Sequence, residues 1–325
     1  MKVIPIRVIS TQQPEVLEVR FFPTDICNYS CSYCWPGSGN VNKFRYPKDV
    51  DLVIGNFRKL FDFYKTFGKT KFRLTIAGGG EPTLWPGLEQ FCKEIKETHN
   101  VYISIVSNGS RTVRWWEENS AYFDDAVLSC HHEFVDIEHF VNVADALFAN
   151  GIKVTSLVLM DATAWDKCAG LIDTMKSSQL PWIIEAKPIV DAPGRGTDVY
   201  TTEQLEFFGI KRLPSSEWIV EQLADARTHE SVVLFNDNSA RAVRPHEILT
   251  NKWNDFKGWD CSVGVEAISI TAEGKVLGSC QLPVFNTTPN IFSENFTLTS
   301  SPKTVICTMD QCVCQPDTHV SKVRF

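Results

Sequence analysis

Between residues 17 and 190 the chain alternates short apolar runs with stretches of helical period, and this alternation limits its fold more than any other feature. The runs are EVRFFPT, KFRLTIA, VYISIVS, DDAVLSC, KVTSLVLM and WIIEAKP. In DIEHFVNVADALFANG, Ile137, Phe140, Val141, Ala144, Leu147 and Phe148 fall on one helical face, and Asn150–Gly151 supplies a C-terminal stop. Val53, Phe57, Leu60, Phe61 and Tyr64 repeat that spacing and end at Gly68. Strands separated by helices of this length form βαβ units and a parallel sheet. Six such units predict an α/β fold, a partial (β/α)6 TIM-like barrel over residues 17–200, behind an N-terminal extension of residues 1–16. Ligands then belong at the C-terminal ends of the strands, where the βα loops gather.

After about residue 200 the pattern changes. ESVVLFNDNSARAV reads as a hairpin around NDNS, and VEAISITAEGKVLGSC as another around AEGK. Residues 201–325 are expected to form a small hairpin-containing, cysteine-rich unit. The connecting VDAPGRGTDVY, with Arg195 between glycines, reads either as a mobile lid that binds an anionic group or as a linker.

A net charge of -7 argues against a nucleic-acid or anionic-membrane surface, which needs clustered Lys and Arg. No apolar run approaches the roughly 20 residues of a spanning helix. MKVIPIRVISTQQPE lacks the uninterrupted apolar stretch of a signal peptide, so a cytoplasmic location is expected. Eleven cysteines are more than packing needs in such a chain, and the odd count argues against a disulfide framework.

Three of those cysteines, Cys27, Cys31 and Cys34, crowd the loop TDICNYSCSYCWPG directly after the first strand. A structural zinc site closes with four ligands, so three thiols leave a position open. Soft thiolates at this density suit a cubane iron–sulfur cluster. The spacing Cys-x3-Cys-x2-Cys, with Tyr33 before the last cysteine, resembles the signature of the radical S-adenosylmethionine (radical SAM) superfamily. The resemblance covers residues 17–190 and implies a [4Fe-4S] cluster whose open iron chelates SAM. It implies reductive cleavage of SAM to a 5′-deoxyadenosyl radical that takes a hydrogen atom from substrate, with electrons from a flavodoxin- or ferredoxin-type donor. It also implies that Tyr33 touches the adenine, and that Gly78, Gly79, Gly80 and Glu81 of AGGGEP turn against the methionyl end of SAM. Backbone groups must approach a ligand there without interference from a Cβ. Ser107 and Asn108 of VSNGS match the polar residues that contact ribose and carboxylate. Either turn alone is also what an ordinary glycine or Asn-Gly turn looks like.

Alternation along WIIEAKP puts Glu185 and Lys187 on one face with Ile183, and turns them into the barrel. They pair with each other or they contact substrate. In DDAVLSCHHEF, Ser129 and His131 share the inner face, while Cys130 packs outside. His131 either serves a SAM carboxylate, a substrate hydroxyl or a proton transfer, or is a hydrogen-bonded loop histidine. Cys92 and Cys168 read as core thiols on helix faces.

Cys261, Cys280, Cys307, Cys312 and Cys314 form the second cysteine set, the first two bracketing the AEGK hairpin. The set resembles the Twitch form of the SPASM extension of radical SAM enzymes. The resemblance implies an auxiliary [4Fe-4S] cluster that accepts an electron or ligates substrate. Five thiols exceed the four places of one cluster, and a zinc site with the same thiols is the alternative. Only about 20 residues precede the first barrel strand, too few for a leader-peptide-binding domain. This favours a small-molecule substrate, a sugar, cyclitol or nucleotide derivative. A peptide- or protein-modifying maturase is the alternative enzyme, and a non-catalytic iron–sulfur or zinc scaffold the alternative from another class.

Overall fold

The computed structural model describes residues 3–34, 46–189, 199–208, 231–278, 280–312 and 315–324. The expected lid around Arg195 and the fifth C-terminal thiol, Cys314, lie outside these residues. The chain opens with β1 (Pro5–Ser10) and β2 (Val16–Phe21). It continues through α1 (Val50–Lys65), β3 (Lys71–Ile76), α2 (Leu88–Thr98), β4 (Val101–Ser107) and α3 (Val113–Asn119). Then follow β5 (Asp125–Cys130), α4 (Ile137–Ala149), β6 (Lys153–Met160), α5 (Trp165–Ser177) and β7 (Ile183–Pro188). The six apolar runs are thus β2 to β7, paired in parallel and in chain order.

Local chemistry explains where the helices begin and end. Asp49 and Asp136 accept the backbone N–H of Leu52 and His139, which caps α1 and α4. Gly68 and Gly151 hold the left-handed φ angles, 81° and 77°, that stop those helices. On α4 the buried face is Phe140, Val143, Ala144, Ala146 and Leu147. Ile137, Val141 and Phe148, expected on that face, are half-buried and pack against the core from its flank.

Strands β3, β5 and β6 bury alternate side chains under the helices. Leu17, Val19 and Phe21 of β2 are fully buried, and Phe21 meets Phe57 and Trp85 edge-on at 5.0 and 5.6 Å between ring centres. The inward side is polar: Arg73 lies over the Tyr102 ring, and Tyr102 donates to Asp125 at 2.8 Å.

Two pairings cross the divisions expected at residues 16 and 200. The C-terminal hairpin forms as β11 (Ala267–Ile270) and β12 (Val276–Leu277), after β8 (Ser231–Phe235), β9 (Ala240–Val243) and β10 (Asp260–Cys261). β11 joins β2 in parallel, Ala267 opposite Glu18 through Ile270 opposite Phe21. All four β11 residues are buried, so this strand covers what would be an open parallel edge. The second sheet, in the order β13-β10-β14-β1-β8-β9, recruits β13 (Val305–Ile306) and β14 (Lys322–Val323). β1 lies between β14 and β8, so the N-terminal extension is held by the C-terminal segment. No helix among the described residues is long and apolar enough to cross a membrane.

Candidate active site

The three-thiol loop leaves the C-terminal end of β2 and is gripped by the next three strand ends. After β3, the Glu81 N–H donates to the Ile26 carbonyl at 2.6 Å. After β4, Asn108 donates to Asn28 Oδ1 at 3.0 Å and lies 3.9 Å from the Cys27 sulfur, while Asn28 donates to the Ser110 hydroxyl at 2.9 Å. After β5, Glu133 accepts the Ser32 N–H at 2.8 Å and the Ser32 hydroxyl. His131 Nδ1 lies 3.5 Å from the Cys31 sulfur and 3.4 Å from the Tyr33 hydroxyl. The Tyr33 ring stacks on His132 at 5.2 Å and 18°, and Tyr29 on Phe134 at 5.2 Å and 20°. The resemblance supplied no reason to single out Asn28, Glu133 or His132. Their role comes from loops that meet only in the fold.

The thiols suit a cluster. None of the three is in a disulfide, and Cys31 is buried. Burial, reinforced by the neighbouring Cys34, pushes the Cys31 thiol up to about 12, and burial raises Cys27 and Cys34 as well. Three thiolates this close need a compensating positive charge, and a group of iron ions provides one. Among the described residues no three His, Cys, Asp or Glu side chains converge on one point. A cubane does not require that convergence, because each thiolate takes a different corner. Backbone geometry agrees: a Cβ on Gly78 would meet the Gly80 backbone N at 2.9 Å, and one on Gly80 the Asp25 carbonyl carbon at 2.6 Å. Only glycine permits that approach.

Glu81 and Ser107, expected to face the cofactor, spend their side chains inside the protein. Glu81 is 2 % exposed and accepts from the Thr83 N–H, the Thr83 hydroxyl, the Ser107 hydroxyl and the Asn108 N–H at 2.8–3.1 Å. Burial pushes its carboxyl up while these bonds pull it back. It therefore braces the ends of β3 and β4. Glu81→Ala leaves those donors unsatisfied and is expected to cost about 3 kcal/mol or more. Urea unfolding checks this, and an unchanged midpoint would refute it.

Deeper in, the alternation places the other candidates. Ala126, Leu128 and Cys130 are fully buried outward, which turns Ser129 and His131 inward. Cys92 and Cys168 are fully buried on α2 and α5. Leu157 and Leu159 of β6 stand beside Glu185 and Lys187 of β7. Glu185 and Lys187 make no ion pair with each other; the Glu185 carboxylate faces the Arg244 guanidinium at 3.9 Å. Lys187 has its ammonium lowered by burial, with Glu185 opposing, and its charge reaches His131. Burial first, then His132 and Lys187, lowers His131 to about 4.

Cys261, Cys307 and Cys312 sit on the second sheet and its flanks, while Cys280 follows β12 of the barrel sheet. Cys261 ends β10, whose partner β13 runs into Cys307, and the Cys307 N–H donates to the Trp259 carbonyl at 2.9 Å. Cys312 donates its N–H to the Asn254 carbonyl at 2.8 Å, and Cys280 to the Asp317 carboxylate at 3.0 Å. None of these four cysteines is in a disulfide, and burial raises Cys261 while Lys322 opposes it.

Known proteins resemble this chain in sequence and in fold. The sequence profile of the radical SAM superfamily matches residues 21–166, from the end of β2 to the start of α5. An S-adenosylmethionine-dependent nucleotide dehydratase of Thermoplasmatales archaeon (strain ISO4-H5) is 31% identical over 43% of this chain and 51% of its own length. The match thus spans about half of that relative. A GTP 3′,8-cyclase of Pasteurella multocida (strain Pm70) is 26% identical over 70% of this chain and 68% of its own. The solved structure of native anSMEcpe with bound AdoMet superimposes with a TM-score of 0.53 at 15% identity, covering 86% of this chain and 79% of that one, a likeness of fold. The thiol loop, the glycine turn and the ends of β3, β4 and β5 all lie inside residues 21–166, the segment that matches the radical SAM superfamily.

Proposed function

We propose that the chain is a radical SAM enzyme acting on a nucleotide-like small molecule, with a [4Fe-4S] cluster at Cys27, Cys31 and Cys34 and an auxiliary [4Fe-4S] cluster among Cys261, Cys280, Cys307, Cys312 and Cys314. The observation that carries the reading is the three-thiol loop held by the ends of β3, β4 and β5, beside a turn that only glycine can make. When bound, the cluster and SAM supply a radical that takes hydrogen from an unactivated C–H bond. The protein's part is to hold and orient. Gly78 to Gly80 would present backbone to the methionyl end of SAM and Tyr33 would contact the adenine, while Asn108 steadies the loop at Cys27. Inside the barrel, Ser129, His131, Glu185 and Lys187 orient the substrate, and the enclosing wall excludes water. A flavodoxin- or ferredoxin-type protein delivers the electron.

Two observations favour a nucleotide-like substrate. Both relatives above are named for nucleotide chemistry. Lys187, a half-buried residue of β7 whose ammonium is lowered by burial, also suits an anionic group. In this reading residues 17–200 are the catalytic barrel, and 201–325 carry the auxiliary site while lending β11 to the barrel edge. The test is anaerobic reconstitution followed by SAM, dithionite and a panel of ribonucleoside triphosphates. SAM-derived 5′-deoxyadenosine is expected, and at least one nucleotide should accelerate it. No 5′-deoxyadenosine under any condition would sink the catalytic reading; production that ignores every nucleotide would sink the substrate class alone.

A further inference from the structure

The interior face of β2 carries two charges, and the groups that meet them come from the far end of the sequence. Glu18 is 4 % exposed and Arg20 5 %. Arg20 donates to Glu18 Oε2 at 3.1 Å and to Asp317 Oδ1 at 3.2 Å. Asp317 stands in the helical turn Gln315–Thr318 and is 1 % exposed. Its other oxygen, Oδ2, accepts the backbone N–H of Cys280 at 3.0 Å. Lys322 closes the group by donating to the carbonyls of Asp317, Thr318 and Val320. His319 lies 3.5 Å from the Glu18 carboxylate.

We propose that Asp317 is a positioning residue for the C-terminal cysteine site: clamped by Arg20 of β2, it fixes the backbone at Cys280 so that this thiolate meets the auxiliary cluster. The inference rests on the auxiliary-cluster reading. A buried carboxylate costs several kcal/mol to desolvate unless it is paired and hydrogen-bonded. A neutral carbonyl would satisfy one backbone N–H without that cost. The carboxylate adds a charge-assisted bond with fixed direction, and its second oxygen is tied to a barrel strand. Groups that orient metal ligands in this way change metal retention by about 10–100-fold when removed. The charges of Glu18 and Asp317 are matched by those of Arg20 and Lys322, so neutralising Asp317 leaves one excess positive charge beside the site.

The test compares reconstituted wild type with Asp317→Asn, Asp317→Ala and Arg20→Lys. Iron and zinc are counted, and the reduced proteins are followed by EPR and potentiometry with and without SAM, which perturbs the three-thiol cluster. Wild type is expected to hold about eight irons in two signals, only one of them sensitive to SAM. In Asp317→Asn the SAM-insensitive signal should shift and its midpoint potential rise, while the SAM-sensitive signal stays as in wild type. Asp317→Ala should release the auxiliary iron to a chelator about 10–100-fold faster. Arg20→Lys keeps the charge but loses the two-pronged hold, and should move the same signal less; it answers the question even where Asp317→Ala does not fold. An auxiliary signal and potential unchanged in Asp317→Asn and Arg20→Lys would overturn the positioning role. Zinc, or about four irons, in wild type would instead overturn the auxiliary cluster itself and the inference with it.

Discussion

Replacing Cys27, Cys31 or Cys34 by Ala, one at a time, is expected to reduce 5′-deoxyadenosine formation to the background of iron-free protein, whereas Cys261→Ala keeps part of it. The three positions are not interchangeable with other buried thiols. Cys31 lies within reach of His131, Cys27 accepts the Tyr29 N–H at 3.3 Å, and the Cys34 N–H closes a turn on the Cys31 carbonyl at 3.1 Å. The loop is thus folded around its sulfurs. Burial keeps those thiols protonated in the absence of a positive partner, and their soft, polarisable character selects iron–sulfur chemistry once deprotonated. Alanine leaves the barrel core untouched, so circular dichroism and melting should stay close to wild type while about four irons per chain are lost. Cys92→Ala is the control. That thiol is fully buried in α2 among Phe91, Leu88 and Ile95, so its loss should cost about 1 kcal/mol of stability and no activity. Wild-type 5′-deoxyadenosine from any of the three loop variants would remove the cluster from this loop.

Much of this site is visible in the chain before folding, and the part that is not has a common cause. The six barrel strands announce themselves because β-branched and aromatic runs alternate with helical period, and both signals are local. The inward turn of Ser129 and His131 follows from the same two-residue period, since Ala126, Leu128 and Cys130 must go under the helices. Contacts between distant segments leave no such trace. Nothing in AISI indicates that β11 will pair with β2, some 250 residues earlier in the chain. Nor does EVRFFPT name a partner for Arg20, although charges at positions 18 and 20 of a barrel strand do signal a polar interior. Glu81 shows the opposite case. Its place beside the glycines draws attention to the cofactor, yet its carboxylate is occupied by Thr83, Ser107 and Asn108. Only the burial and partners of a side chain distinguish a ligand contact from a brace.

Gly80→Ala is expected to remove iron from the three-thiol loop while leaving the barrel folded. The added Cβ would sit 2.6 Å from the Asp25 carbonyl carbon and closer still to the Ile26 carbonyl. Both are backbone atoms of the segment that leads into Cys27, so no side chain can swing aside to relieve the contact. The Glu81 N–H bond to the Ile26 carbonyl must lengthen, and the loop carrying the thiols moves off the strand ends that position it. Gly80 does not hold a left-handed φ, so the penalty is steric rather than torsional. Overpacking of this kind costs about 1–3 kcal/mol, a modest fall in melting temperature for a chain of this size. The loss of iron and of SAM binding should be far larger in proportion. Gly55→Ala and Gly170→Ala provide the contrast, because a Cβ at either helical position meets nothing within 4 Å. Both should raise stability by about 0.5–1 kcal/mol and leave iron and SAM cleavage unchanged. If Gly80→Ala instead keeps its iron and binds SAM as wild type does, the close backbone approach at this turn has no part in holding the cluster loop, and the turn's place beside the thiols would need another explanation.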